Sequence, residues 1–273
     1  MTADPLISVA EARERIGRDG VIVLDATWTY PGGPQPRIEG AIPGARRFDI
    51  DTVSDAANSL PHMLPAPHDF ETHARALGLS NDSELIVYDR MGLFSAPRVW
   101  WMFRTMGHDR VRVLDGGLPL WADLGGGLVP QLATNWPTGT FHATLQLHRL
   151  AGLDDVRAAI EHRDRALLDA RSALRFSGQG AEPRAGQRSG HMPGALNLPY
   201  ASLVGDDGRL KDATRALRDA GLSEDRAVIT TCGSGVTACL LALALEREGR
   251  VAAVYDGSWA EWGSRSDTPI QTD

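Results

Sequence analysis

Cysteine is scarce in this chain. Only Cys232 and Cys239 occur in 273 residues, and two thiols seven positions apart, on a loop entering a helix, offer no disulfide framework. A reducing compartment suits them. No Cys-x-x-Cys pair exists and the eight histidines form no His-x-x-x-His pair, so the spacing of common metal sites is missing and no metal is expected. Long apolar runs are also absent: nothing approaches the roughly 18 uninterrupted apolar residues of a membrane span. The opening MTADPLISVAEARERIG has neither a basic nor an apolar leader region. A cytoplasmic protein without a membrane partner is the expectation. Positive charge is in deficit, with 28 Lys and Arg against 35 Asp and Glu and a net charge of -7. That argues against a nucleic-acid partner while leaving room for a local basic pocket that binds a small acid.

What is present is ordinary for a globular protein, 42% hydrophobic and 23% charged residues in a length that suits two domains. The chain also repeats itself once. VIVLDA (21–26) is echoed by ALLDA (166–170), EGAIPGA (39–45) by SGHMPGA (189–195), and ELIVYD (84–89) by AVITTC (227–232). VRVLDGGLPLWADLG (111–125) then aligns with VAAVYDGSWAEWG (251–263), so that Asp115 and Trp121 match Asp256 and Trp262 at the same six-residue separation. Four matches in one order indicate a duplicated unit. Each half alternates short β-branched runs with amphipathic stretches such as HDFETHARALGLS, the pattern of a mainly parallel sheet flanked by helices. We therefore expect two α/β domains, at 1–130 and 149–273, joined by a breaker-rich linker at 131–148. Ser8 and Glu11 form a capping box that starts the first helix.

The chemistry is expected at Cys232. A buried-type strand at 227–231 runs into CGSGV and then into an apolar helix beginning near Val236. Gly233 and Gly235 allow the loop to curl so that successive N–H groups converge on one point, reinforced by the helix dipole. A thiolate placed there is stabilised as a nucleophile, and open α/β sheets bind ligands at this edge. Cys239 lies among Ala238, Leu240 and Leu241 and reads as core. A cysteine phosphatase would need an arginine six residues after its nucleophile to grip phosphate, and that position holds Ala238. No GxxxxGK[ST] loop occurs, and the GQGAEPRAG stretch follows no convincing strand.

The CGSGVTA loop, the paired IPGA and MPGA segments, SAPRVWWMFRTMGH, LDGG and YDGSWAEW together resemble the tandem-domain rhodanese and mercaptopyruvate sulfurtransferase family from end to end. The resemblance implies two rhodanese-like domains, the first catalytically silent because Asp89 occupies the strand end that Cys232 occupies in the second. It implies sulfur transfer through a persulfide on Cys232, without a cofactor, to a thiol acceptor such as a thioredoxin-like protein or small thiol, or to cyanide. Thiosulfate-preferring members resemble CRKGVTA, whereas mercaptopyruvate-preferring members resemble CG[ST]GVTA. The neutral loop here lacks charge-assisted contacts worth about 1.5–3 kcal/mol each to a dianion, so 3-mercaptopyruvate is the expected donor.

By the same resemblance Arg175 and Arg184 clamp the donor acid, with Arg188 as a neighbour, while Gly233, Gly235, Val236 and Thr237 line the substrate. Ser234, His62 and Asp51 match a proton relay, the last two supplied by the first domain. His191 reads as a turn stabiliser, and the sequence does not decide whether Trp259 and Trp262 wall a pocket or fill the core. Two other readings stand beside this one: a thiosulfate-preferring enzyme of the same fold, and a non-catalytic binding or sulfur-relay module.

Overall fold

The computed structural model describes residues 4–30, 33 and 35–272. It divides into two compact units. The first comprises the chain to Ala56, Leu64–Gln146 and Val204–Leu210; the second comprises Ala57–Met63, Leu147–Leu203 and the chain from Lys211.

The first unit contains β1 (Leu6–Ile7), α1 (Val9–Arg15), β2 (Val21–Asp25), β3 (Arg46–Arg47), α2 (Pro67–Ala76), β4 (Glu84–Tyr88), α3 (Ala96–Thr105), β5 (Val111–Leu114) and α4 (Gly117–Asp123). Its strands form one sheet in the order β1-β5-β4-β2-β3, and every pairing is parallel. The second unit contains β6 (Leu150–Ala151), α5 (Leu153–His162), β7 (Arg165–Asp169), α6 (Ala173–Ser177), β8 (Leu196–Asn197), α7 (Ala213–Asp219), β9 (Ala227–Thr231), α8 (Ala238–Arg247), β10 (Ala253–Tyr255) and α9 (Ser258–Trp262). Its order, β6-β10-β9-β7-β8, repeats the first strand for strand, again wholly parallel. The sequence repeat is therefore a repeat of structure.

Central strands carry apolar residues on both faces, as a sheet covered on both sides requires. β4 is ELIVY, with Leu85, Ile86, Val87 and Tyr88 buried; β9 is AVITT, with Val228, Ile229, Thr230 and Thr231 buried. The helices that follow these strands are sunk into their units. All ten residues of α3 are buried, Arg98 included, its guanidinium 4.5 Å from the Trp101 ring centroid. In α8 the buried run extends from Ala238 to Glu246. Helix α8 starts two residues later than the apolar run predicts, because Val236 and Thr237 belong to the loop, Thr237 standing at the N-cap position without a side-chain capping bond.

Ser8 caps α1 by accepting from the Glu11 N–H at 3.1 Å, but Glu11 turns its carboxylate to Arg15 and Arg112, so only half of the expected box forms. The breaker-rich segment after α4 contains no helix or strand before the 3-10 turn Leu147–Arg149, yet it is strapped to the first unit. Ala133 N–H donates to Ala45 O, Gly139 N–H to Arg75 O and Gln146 N–H to Thr105 O. Phe141 from the same strap is fully buried among Phe70, Phe103 and His108.

Candidate active site

Strand β9 ends at Thr231 and delivers Cys232, 2% exposed, to the carboxyl edge of the second sheet. From there the loop 232–237 runs to the N-terminus of α8. Gly235 takes the left-handed conformation, φ 76°, which glycine adopts without steric cost. The carbonyl side of the loop is clamped by α9: Trp259 N–H donates to Cys232 O at 3.0 Å and Ala260 N–H to Gly233 O at 2.8 Å. The Cys232 N–H donates to Ser258 Oγ at 3.2 Å, and that hydroxyl donates in turn to Tyr255 O at 2.8 Å. Ser258 reaches this position through a left-handed backbone, φ 48°, which costs a non-glycine residue about 1–3 kcal/mol. With the carbonyls engaged from one side, the N–H groups of Gly233, Ser234, Val236 and Thr237 donate to no acceptor among the described residues. Cys239 is fully buried and its Sγ lies 3.1 Å from Gly235 O, a core position in the first turn of α8.

The first unit has the corresponding loop, one residue longer, with a carboxyl group inside it. Asp89 follows β4 as Cys232 follows β9, and it is fully buried. Its Oδ2 accepts from the N–H groups of Phe94, Ser95 and Ala96 at 2.9, 2.9 and 2.8 Å, while Oδ1 accepts from Met91 N–H at 2.8 Å. Burial pushes the Asp89 carboxyl above the usual carboxylate range, and these four N–H groups pull it back. A strand end leading into a helix N-terminus thus holds a carboxyl side chain here, and the side chain it holds closes the nest.

Arg175 lies on α6 with its side chain 26% exposed. It is directed at the cysteine loop: a methyl group built on Gly233 would sit 3.0 Å from Arg175 Nη2, so the absence of a side chain at 233 makes room for the guanidinium. Arg175 is bound by Glu182, which also accepts from Arg171 Nη1 at 2.8 Å. Arg171 is fully buried; it pairs with Asp169 at 2.7 Å and lies 4.0 Å from the Trp259 ring centroid. Arg184 is half-buried in the loop after Glu182.

Arg188 is tied to the C-terminal segment through part of its guanidinium. Expected beside the substrate, its side chain is committed to the C-terminal segment, with Nε on Gly263 O at 3.2 Å and Nη2 on Trp262 O at 3.3 Å, on Thr268 O at 3.0 Å and on Arg265 O. These contacts engage Nε and Nη2, while the two Nη1 donors take no part in them.

Of the relay residues, Ser234 is 7% exposed in the cysteine loop. His62 is 8% exposed with a left-handed backbone, φ 61°, and its segment 57–63 groups with the second unit, not with the first as expected. Asp51 belongs to the first unit and is exposed, its carboxylate accepting from Trp28 Nε1 at 3.0 Å. His191 is a packing residue, stacked on Phe176 with centroids 3.9 Å apart and its Nδ1 2.9 Å from the Phe176 carbonyl. Trp259 and Trp262 are both fully buried, so they fill the core.

Sequence reasoning passed over Glu182 and Ser258. Glu182 sits in the glycine-containing stretch set aside for lacking a preceding strand, and nothing local distinguishes it from a solvated acid. Ser258 did carry a signal, because the repeat aligns it with Gly117, φ 57°, and a left-handed position shared by a glycine and a serine marks a serine held for its hydroxyl.

Among the described residues no group of three or more His, Cys, Asp or Glu side chains could hold a metal, and no helix is long and apolar enough to cross a membrane. A model of the rhodanese-like domain matches residues 8–124 and again 152–265. The 3-mercaptopyruvate sulfurtransferase of Escherichia coli (strain K12) is 41% identical over 269 residues, covering 94% of each chain. The thiosulfate sulfurtransferase of Bos taurus is 39% identical over 257 residues, covering 90% of this chain and 86% of that one. The crystal structure of Tum1 from Saccharomyces cerevisiae superposes with a TM-score of 0.88 at 30% identity, covering 98% of this chain and 97% of that one. The chain belongs to the rhodanese family, as a member with two rhodanese-like domains in tandem.

Proposed function

We propose that this protein is a sulfurtransferase that takes sulfur from 3-mercaptopyruvate onto Cys232 and passes it to a thiol or cyanide. The observation that carries the reading is the environment of Cys232: a strand-end thiol in an uncharged loop, in which the N–H groups of Gly233, Ser234, Val236 and Thr237 donate to no acceptor among the described residues, while the corresponding loop of the first unit closes on a carboxyl group. Such donors stabilise the negative charge of a thiolate before the reaction and of a persulfide after it. In the first half-reaction the Cys232 thiolate attacks the donor sulfur and forms an S–S bond. The C–S bond breaks with its electron pair going to carbon, and the resulting enolate takes up the proton of the donor thiol to leave as pyruvate. In the second, an acceptor thiolate or cyanide attacks the outer sulfur and returns Cys232 as thiolate.

Arg175, beside the loop, and Arg184 hold the donor carboxylate and carbonyl, for which a planar and permanently charged fork is suited. Ser234 and His62, both within the second unit, serve proton transfer; for Asp51 the support is the family resemblance alone. A reducing, cytoplasmic setting suits a thiol that must be regenerated at each turnover. Sequence identity does not separate donors, since relatives named for mercaptopyruvate and for thiosulfate match almost equally well. The uncharged loop favours the former.

A donor panel with wild type and Cys232→Ser tests the proposal. Wild type is expected to release pyruvate with a higher kcat/KM than that for thiocyanate formation from thiosulfate, and to gain one sulfur atom on Cys232 by mass spectrometry. The serine variant is expected to do neither, and turnover retained by it overturns the mechanism.

A further inference from the structure

Glu182 has no assigned part in the reaction, yet it is a buried carboxylate bound to the arginine beside the cysteine loop. Its neighbours Ala181 and Pro183 are exposed, whereas the Glu182 side chain turns inward to 2% exposure. There it receives Arg171 on Oε1 at 2.8 Å and Arg175 on both carboxylate oxygens. Arg171 is itself paired with Asp169, so Asp169, Arg171, Glu182 and Arg175 form a chain of two carboxylates and two guanidiniums with no net charge. The end of that chain is the guanidinium that fills the space over Gly233.

We propose that Glu182 is the positioning residue that sets donor charge preference: it holds Arg175 over Gly233 and cancels its charge, so the site accepts a monoanionic keto acid in preference to a dianion. This rests on Arg175 touching the donor, as proposed above. A guanidinium bound to a carboxylate still offers hydrogen bonds of fixed direction to a carboxylate and carbonyl. It no longer offers the unbalanced positive charge that a dianion such as thiosulfate needs on leaving water. The uncharged CGSGV loop and the Glu182 bridge then act in the same sense.

The test is the ratio of kcat/KM for thiosulfate to kcat/KM for 3-mercaptopyruvate, because a structural defect lowers both together and leaves the ratio unmoved. Glu182→Gln keeps the shape and removes the charge; it is expected to raise the ratio roughly tenfold, as one unit charge would at close range in the effective dielectric of a protein surface. Glu182→Asp keeps the charge on a shorter side chain, so both donors are expected to fall in parallel with the ratio within about twofold of wild type. An unchanged or lowered ratio in E182Q overturns the proposal, as does an equal rise in E182D. Should E182Q fail to fold, competition on the wild type decides: pyruvate, a monoanion, is expected to inhibit more strongly than oxalate, a dianion of nearly the same size, and equal inhibition overturns the proposal. Arg175→Met separates this idea from the reading beneath it. If R175M loses mercaptopyruvate turnover while E182Q keeps the wild-type ratio, only the role of Glu182 fails; if R175M turns over normally, the donor-binding role of Arg175 fails as well.

Discussion

Asp89 and Cys232 occupy the same strand end in two copies of one fold, and the difference between them is the difference between a closed nest and an open one. The Asp89 carboxyl group accepts from four N–H groups of its own loop and the following helix entry. Asp89→Ala is therefore expected to destabilise the first unit by about 3 kcal/mol, since buried donors left unpaired cost more than the bond itself was worth; denaturant titration measures it. Ser258 is a second telling position. Gly117 shows that glycine fits this backbone, so Ser258→Gly is expected to fold with stability within about 1 kcal/mol of wild type, relief of strain offsetting a lost hydrogen bond. What it loses is the hydroxyl that orients the Cys232 N–H, and stopped-flow measurement of persulfide formation should slow by about tenfold. Both roles depend on how a loop folds back on the strand end: Phe94 to Ala96 return to Asp89 from the next helix entry, and Ser258 meets Cys232 from 26 residues away. That is why the repeat alignment could pair Asp89 with Cys232 but could not say what either one binds.

Elements of this protein are held by buried polar ties as much as by apolar packing. Helix α8 is apolar except near its end, where Glu246, 6% exposed, pairs with Arg149 at 2.5 Å beside β6. Glu246→Ala leaves a buried guanidinium without its anion, so a loss of about 3–5 kcal/mol is expected in thermal or denaturant unfolding. At the surface the half-formed cap of α1 is a smaller effect: Ser8→Ala is expected to cost about 1 kcal/mol. Periodicity and end signals were enough to place the start of α1, the strand β9 and the helix after it, because helix and strand patterns are set by which faces meet the core. The start of α8 was displaced by two residues because Val236 is apolar for a loop residue, and its burial there comes from tertiary contact. Arg188 was not legible in the same way: only the path of the C-terminal segment decides that its Nε and Nη2 face carbonyls.

The molecule as a whole is a duplication whose halves kept one topology and divided the chemistry. A cysteine at position 89 would reach the same strand end, but without the CGSGV loop, the Ser258 hydroxyl or the Glu182–Arg175 pair it would lack the surroundings that Cys232 has. Asp89→Cys combined with Cys232→Ser is accordingly expected to show under about 1% of wild-type pyruvate release, and restored turnover would mean that the strand end alone is sufficient. The duplication and the two parallel sheets could be read from residue order, because they depend on hydrophobic period, glycine placement and spacing, which are local properties of a chain. The grouping of 57–63 with the second unit, the strap of 129–146 along the first, and the Asp169–Arg171–Glu182–Arg175 chain could not. Each depends on which distant groups share a low-dielectric space, and a charged side chain takes its role from the partner that burial forces on it.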